Sequence, residues 1–206
     1  TPETETTNDS KPDTTVEMEE PLFSGNEIFE DKIHTITHLH NAKLVLLVGD
    51  SEAGKTTLIA SLFDKFQKGS CGGYNYAGSR TQIAFEKRCF LARWSVNGRK
   101  APDTERTKSL TMHYLHLAVR GKGNGKPIEH LIFADVSGEQ FRIIRDSEAE
   151  MLKFNVLKRA DYIFYVVNGE HLIDLDTRQK TKFNSVRLIQ RAIENKMLSD
   201  TVPFEV

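Results

Sequence analysis

The stretch "KLVLLVG" (43–49) is apolar after its first residue and rich in β-formers. Such a run predicts a strand buried on both faces. Directly after it Leu58, Ile59, Leu62, Phe63 and Phe66 recur at helical spacing, which predicts an amphipathic helix over 55–67. "SLTMHYLHLAV" (109–119) alternates apolar and polar positions, "RGKGNGKP" (120–127) is a turn, and "EHLIFADV" (129–136) is a second strand. Together they predict an antiparallel hairpin.

Between these elements, "KGSCGGYNYAGS" (68–79) reads as a glycine-rich loop. "RTQIAFEKRCFLARW" (80–94) has weaker helical periodicity through Ile83, Phe90 and Trp94, and "VNGRKAPDTERTK" (96–108) reads as a mobile polar segment. Further on, the pattern predicts a helix over 148–159 and a buried strand at "DYIFYVVNG" (161–169). A longer helix follows over 177–197, with Val186, Ile189 and Ile193 on one face. "TVPFEV" (201–206) reads as the opening of another strand. Strands alternating with helices predict an α/β fold of three layers, with a mostly parallel sheet and an antiparallel hairpin strand. No internal repeat is present, and the sheet reads as cut off on one side, its C-terminal part missing.

Composition adds one boundary. With 38% hydrophobic and 28% charged residues the chain falls in the ordinary globular range. Its net charge of −1 conceals an asymmetry: residues 1–31 carry ten acidic residues against Lys11 alone, a net of −9, and the rest carries +8. The first part is poor in large apolar residues and cannot bury enough surface to offset its ordering entropy. Residues 1–31 are therefore expected to be an acidic, disordered segment, and 32–206 one folded domain. The chain opens on Thr1 rather than Met, as a fragment would. Cys71 and Cys89 are not in a CxxC pair, no signal segment is legible, and no apolar run nears the roughly 20 residues of a membrane span. A cytoplasmic setting is the default expectation.

The candidate chemistry sits between the first strand and the first helix. Gly49-Asp50-Ser51-Glu52-Ala53-Gly54-Lys55-Thr56 matches GxxxxGK[ST] in the strand–loop–helix context that the motif needs. Terminal glycines permit close backbone approach, and successive N–H groups with the helix N-terminus cradle anionic oxygens. Lys55 is placed to neutralise the β- and γ-phosphates, and the Thr56 hydroxyl to ligate Mg²⁺. Thr57 points elsewhere and reads as a packing or capping residue. Downstream, "LIFADVSGEQF" (131–141) ends a strand in Asp135, which can hold Mg²⁺ through water, and Gly138 can offer its N–H to the γ-phosphate.

Phosphate loop, threonine-bearing segment, hairpin, Asp-x-x-Gly, helix and buried strand follow one another in an order that resembles the Ras-like, translation-factor-related GTPases. "GSRTQIAFEKRCFLARW", "APDTERT" and "DVSGEQF" look more like the bacterial double-GTPase proteins of the TRAFAC clade. The resemblance spans 43–206. It implies binding of GTP or GDP with Mg²⁺, slow hydrolysis, a conformational switch and a protein partner that reads the switch segments. It also implies a switch I threonine on Mg²⁺, for which Thr107 is the first choice and Thr104 the second. Thr107 lies 52 positions after Lys55, which makes the helix over 80–94 an insertion. Some proteins of this class pair across their nucleotide sites, so a homo-oligomer is an open expectation.

Two departures from the family pattern follow. Glu139 stands where the family's water-orienting glutamine would be, with Gln140 one position on. A glutamate can act as a base, yet its charge faces the γ-phosphate. Arg106, Arg142 and Arg145 flank the switches and read as surface charges before arginine fingers. The guanine-reading motif expected after "VPFEV" does not occur within the 206 residues. Two other functions stay open: a P-loop ATPase, although Val136 rather than an acid follows Asp135, and a nucleotide-held assembly module with little turnover. His34, His38 and His40 read as solvated or packed rather than as metal ligands. Tyr74 and Tyr76 read as a loop rather than a nucleic-acid surface, so nucleic acid is not an expected partner.

Overall fold

The structure is a computed structural model. It describes residues 25–96, 112–123, 125–198 and 204–205. At its centre lies β2 (Ala42–Val48), paired in parallel with β5 (Ile128–Asp135) on one side and β6 (Tyr162–Tyr165) on the other. Beyond β6, β7 (Phe204–Glu205) continues in parallel. Beyond β5, β4 (His113–Gly121) runs antiparallel, which is the expected hairpin. Two short strands, β1 (Ile28–Phe29) and β3 (Tyr74–Gly78), complete the seven-stranded sheet by pairing antiparallel with β4.

Both faces of this sheet are covered, so its central strands are apolar at successive positions rather than alternately. Leu44, Leu46 and Val48 of β2 point into one core, while Val45 and Leu47 point into the other. The second core is closed by α2 (Lys55–Lys68) and α3 (Gln82–Val96), where Phe63 and Phe85 stack with ring centroids 4.4 Å apart. Each such fully buried ring stabilises the fold by roughly 1.5–3 kcal/mol over exposure. The first core is closed by α4 (Gly138–Asp146), α5 (Glu148–Lys153), α6 (Val156–Arg159) and α8 (Leu175–Glu194), with Ile36 of α1 (His34–Thr37) beneath them. A short α7 (Gly169–Ile173) leads into α8. This is the three-layer α/β architecture of a P-loop NTPase. Among the described residues no helix is long and apolar enough to cross a membrane.

Several local expectations change. The glycine-rich loop over 68–79 contains β3, whose Tyr76 packs edge-on against Phe63 at 5.9 Å. Pairing with β4, a non-local effect, makes this polar stretch a strand. The acidic leader does not extend to residue 31, because Ile28 and Phe29 pair with β4 and Ile28 enters the core. The single helix over 148–159 is two, broken at Phe154, and the strand over 161–169 shortens to β6 because Asn168 caps α7. On α8 the inner face is Leu188 and Ala192, whereas Val186 and Ile193 are 50% and 60% exposed. The rest of the acidic leader, the polar segment at 97–108 and Val206 lie outside the described residues.

Three histidines join the far end of the sheet to the start of α3. His40 stacks on His130 at 3.8 Å, and His116 Nε2 lies 2.9 Å from His130 Nδ1. His116 Nδ1 accepts from the Arg80 backbone N–H at 3.1 Å, so the ring is neutral and donates from Nε2. Burial, with His130, Arg80 and His40 around it, pulls the His116 pKa down to about 3. The unfolded chain, with an ordinary pKa near 6.5, therefore takes up a proton that the fold refuses. Stability contributed by this residue is full above that pH and falls by about 1.4 kcal/mol per pH unit below it, down to the folded pKa. Urea unfolding between pH 7 and 4.5 should show this slope, and His116→Gln should remove close to one proton's worth of it.

His34 on α1 and His38, which ends it, are exposed, their rings meeting edge-on at 6.1 Å.

Candidate functional site

The loop between β2 and α2 is fixed by close packing where it leaves the strand. Gly49 has φ +151° and lies against the Val166 carbonyl; a Cβ there would overlap that oxygen. At the other end Gly54 precedes α2, whose first residues present their N–H groups to the loop. Glu52 adopts a left-handed φ of 62°, a strained setting for a side-chain-bearing residue and one typical of functional loops.

Lys55 folds over this loop. Only 6% exposed, its ammonium donates to the carbonyls of Gly49 at 2.8 Å and Asp50 at 2.9 Å. Burial draws its pKa down while the charges of Asp135 and Asp50 oppose the shift. The lysine is thus a held cation, aimed along the loop that the sequence assigns to phosphate. Beside it Thr56 Oγ1 donates to Asp135 Oδ2 at 2.8 Å, across 79 positions of sequence. Burial pushes the Asp135 carboxyl up; Thr56, Arg88 and Lys55 pull it back. A hydroxyl and a carboxylate oxygen in contact beside a held lysine form a hard donor pair of the type Mg²⁺ takes.

After Asp135 the chain passes Val136, fully buried at 0% exposure, so no acid follows the aspartate at this strand end. Ser137 then caps α4 by accepting the Gln140 N–H at 3.1 Å. Gly138 opens α4 directly against Ser51, and any side chain at 138 would strike the Ser51 nitrogen and hydroxyl. Gly49, Asp50, Ser51, Glu52, Ala53, Gly54, Lys55, Thr56, Asp135 and Gly138 are therefore one neighbourhood. Glu139 is exposed on the first turn of α4, and Gln140 lines a groove between α4 and α5 with Ile143 and Phe154. Thr57 is exposed on α2 rather than packed into the core. Thr107, Thr104 and Arg106 lie outside the described residues.

Two groups near the site were not legible in the chain. Arg145 is no surface charge: it is 6% exposed and bonds to Asp50 of the loop, while Arg142 is exposed as expected. Glu27, from the stretch read as leader, ion-pairs with Arg88 of α3 and hydrogen-bonds the His113 ring of β4. His113 stands opposite Asp135 in the β4–β5 register, which brings this trio beside the Thr56–Asp135 pair. Burial opposes the Glu27 charge, but Arg88 and His113 outweigh it and hold its carboxyl below the usual range. The only sequence signal for the trio was that His113 and Asp135 fall at matching hairpin positions.

Comparison with known proteins adds a family. The model of the family described as Double-GTPase 2 matches residues 43–202. That interval runs from β2 past α8 and includes the loop, Asp135 and Gly138. No curated protein matches the chain.

Proposed function

The chain belongs to the Double-GTPase 2 family, and from that premise we propose that it is a Mg²⁺-dependent guanine-nucleotide switch that hydrolyses GTP slowly. Membership supports guanine-nucleotide binding in general. The reading of Mg²⁺ rests on one observation, the Thr56–Asp135 contact at 2.8 Å beside Lys55.

In this reading the loop from Gly49 to Gly54 receives the phosphates on its backbone N–H groups, and Lys55 exchanges its two carbonyl partners for phosphate oxygens. Thr56 and Asp135 would hold Mg²⁺, which when bound neutralises charge on the β- and γ-phosphates. Gly138 offers its N–H to the γ-phosphate, so α4 shifts when that group is lost. Thr107, or failing it Thr104, would complete the switch from the other side. Water attacks the γ-phosphate, helped by position and by fixed positive charge. Glu139 contributes little because its charge opposes that of the phosphate. A protein partner reads the switch segments, and the compartment is cytoplasmic. A glutamate at 139, where the family has a water-orienting glutamine, also favours a second reading, an assembly module that holds nucleotide with almost no turnover.

Metal titration and phosphate release test the proposal together. Chelating Mg²⁺ should weaken GTP binding about tenfold or more, as loss of a charge-assisted contact does. Thr56→Ala should remove most of that metal dependence. Turnover should be on the order of 10⁻³ s⁻¹ or slower, as in GTPases without a supplied arginine, and Glu139→Gln should raise it. GTP binding indifferent to Mg²⁺ would refute the metal reading; turnover indistinguishable from zero would favour the assembly module.

A further inference from the structure

We propose that Arg145 is a positioning residue for the phosphate loop, acting through Asp50 to cancel a negative charge that would otherwise face the nucleotide. The inference rests on the nucleotide-binding reading above and names a residue that reading does not use.

Asp50 is an unexpected residue in a cradle for anions. Its backbone carbonyl holds Lys55, yet its carboxylate adds a negative charge to a loop meant for phosphates. Arg145, near the end of α4, answers that charge: its Nη1 donates to Asp50 Oδ1 at 2.9 Å. The same guanidinium donates from Nε and Nη2 to the two carboxylate oxygens of Asp146 at 3.1 and 3.2 Å. Its Cζ lies 5.7 Å from the centre of the Phe141 ring.

The arrangement exceeds what holding α4 in place requires. A buried guanidinium needs compensation, and the bidentate pair with Asp146, whose charge is shared with Arg187, supplies only part of it locally. The contact with Asp50 reaches across 95 positions of sequence to the loop. From the other side Arg191 of α8 donates to the Arg145 carbonyl at 2.7 Å, and Arg187 stands 3.8 Å from Asp146. The arginine is therefore anchored on α4 and α8 while one donor reaches the loop. Since Gly138 at the start of α4 touches Ser51, the helix meets the loop at both ends. A change in loop charge or position is then felt along the whole of α4.

The consequence is specific to phosphate charge. Without Arg145, the Asp50 carboxylate is uncompensated and repels GTP, with its extra phosphate, more than GDP. The test is the ratio of GTP to GDP affinity, measured with Mg²⁺ by competition against a fluorescent GDP, alongside thermal unfolding. Arg145→Met should lower GTP affinity about tenfold and GDP affinity less. Adding Asp50→Asn to that variant should restore most of the ratio, because the charge to be cancelled is gone. Arg145→Lys should fall between. Should Arg145→Met not fold, Asp50→Asn alone decides: it leaves a positive charge beside the loop and should shift the ratio several-fold toward GTP. A ratio unmoved by these substitutions, with only stability changed, overturns the inference and leaves Arg145 a structural residue. Failure of the unaltered protein to bind either nucleotide overturns the functional reading itself, which is a separate result.

Discussion

Replacing Gly138 by alanine should leave the protein folded but cost it most of its preference for GTP over GDP, by about 10- to 100-fold. Helical propensity cannot be the cause, since alanine is favoured over glycine by about 1 kcal/mol within a helix. The cause is contact. A methyl at 138 would fall on the Ser51 nitrogen and hydroxyl, and the Ser51 backbone belongs to the phosphate loop. Neither side yields cheaply: the loop is held at Gly49 by the Val166 carbonyl, and α4 is held by Arg145 and Ser137. Overpacking of this kind costs about 1–3 kcal/mol, which converts to that range of affinity. On the proposed reading the start of α4 must approach the γ-phosphate, so GTP binding carries the loss and GDP binding is largely spared. Equilibrium titration of both nucleotides, with thermal unfolding as the control for folding, checks it. An unchanged ratio in a well-folded variant would mean that Gly138 is a packing residue and α4 does not sense the third phosphate.

The parts of this fold that the chain discloses are those fixed by neighbours in sequence. The run at β2, the loop after it and the stripe Ile59, Phe63 and Phe66 on α2 form one continuous stretch. Each carries its own periodicity, so strand, loop and helix are legible together. The β4–β5 hairpin is legible for the same reason. What escapes is what distant pairing decides. Tyr74–Gly78 is polar and flanked by glycines, and it becomes β3 only because β4 offers it an edge. Ile28 and Phe29 sit in an acidic stretch whose composition outweighs two apolar residues in any window. On α8 the β-branched Val186 and Ile193 recur at helical spacing and mark one apolar face, yet both are exposed. Leu188 and Ala192 form the inner face instead, and the small Ala192 lies at 2% exposure against the core.

The candidate site divides along the same line. Lys55 and Thr56 are named by a local motif, and Asp135 by its place at a strand end. Their meeting is a consequence of β2 and β5 lying side by side, with Leu47 opposite Asp135. Arg145 and Glu27 had no such cue. A charged residue on a short helix and another in an acidic leader look like solvent-facing charges until the sheet brings Asp50, Arg88 and His113 to them.

Lys55→Ala carries the largest effect expected of any single change. The lysine is buried, held by two loop carbonyls, and has no role in either hydrophobic core. Its loss should therefore spare the fold while removing two or more charge-assisted bonds to phosphate. At about 1.5–3 kcal/mol each, such bonds amount to at least about a 100-fold loss of triphosphate affinity. The most direct measurement is competition of GTP, GDP, ATP and ADP against a fluorescent GDP with Mg²⁺ present, run on the protein and on Lys55→Ala side by side. Displacement by GTP and GDP but not by ATP and ADP, lost in the variant, is the expected result. Equal displacement by adenine nucleotides, or binding that Lys55→Ala leaves intact, would contradict a guanine-nucleotide switch built on this loop.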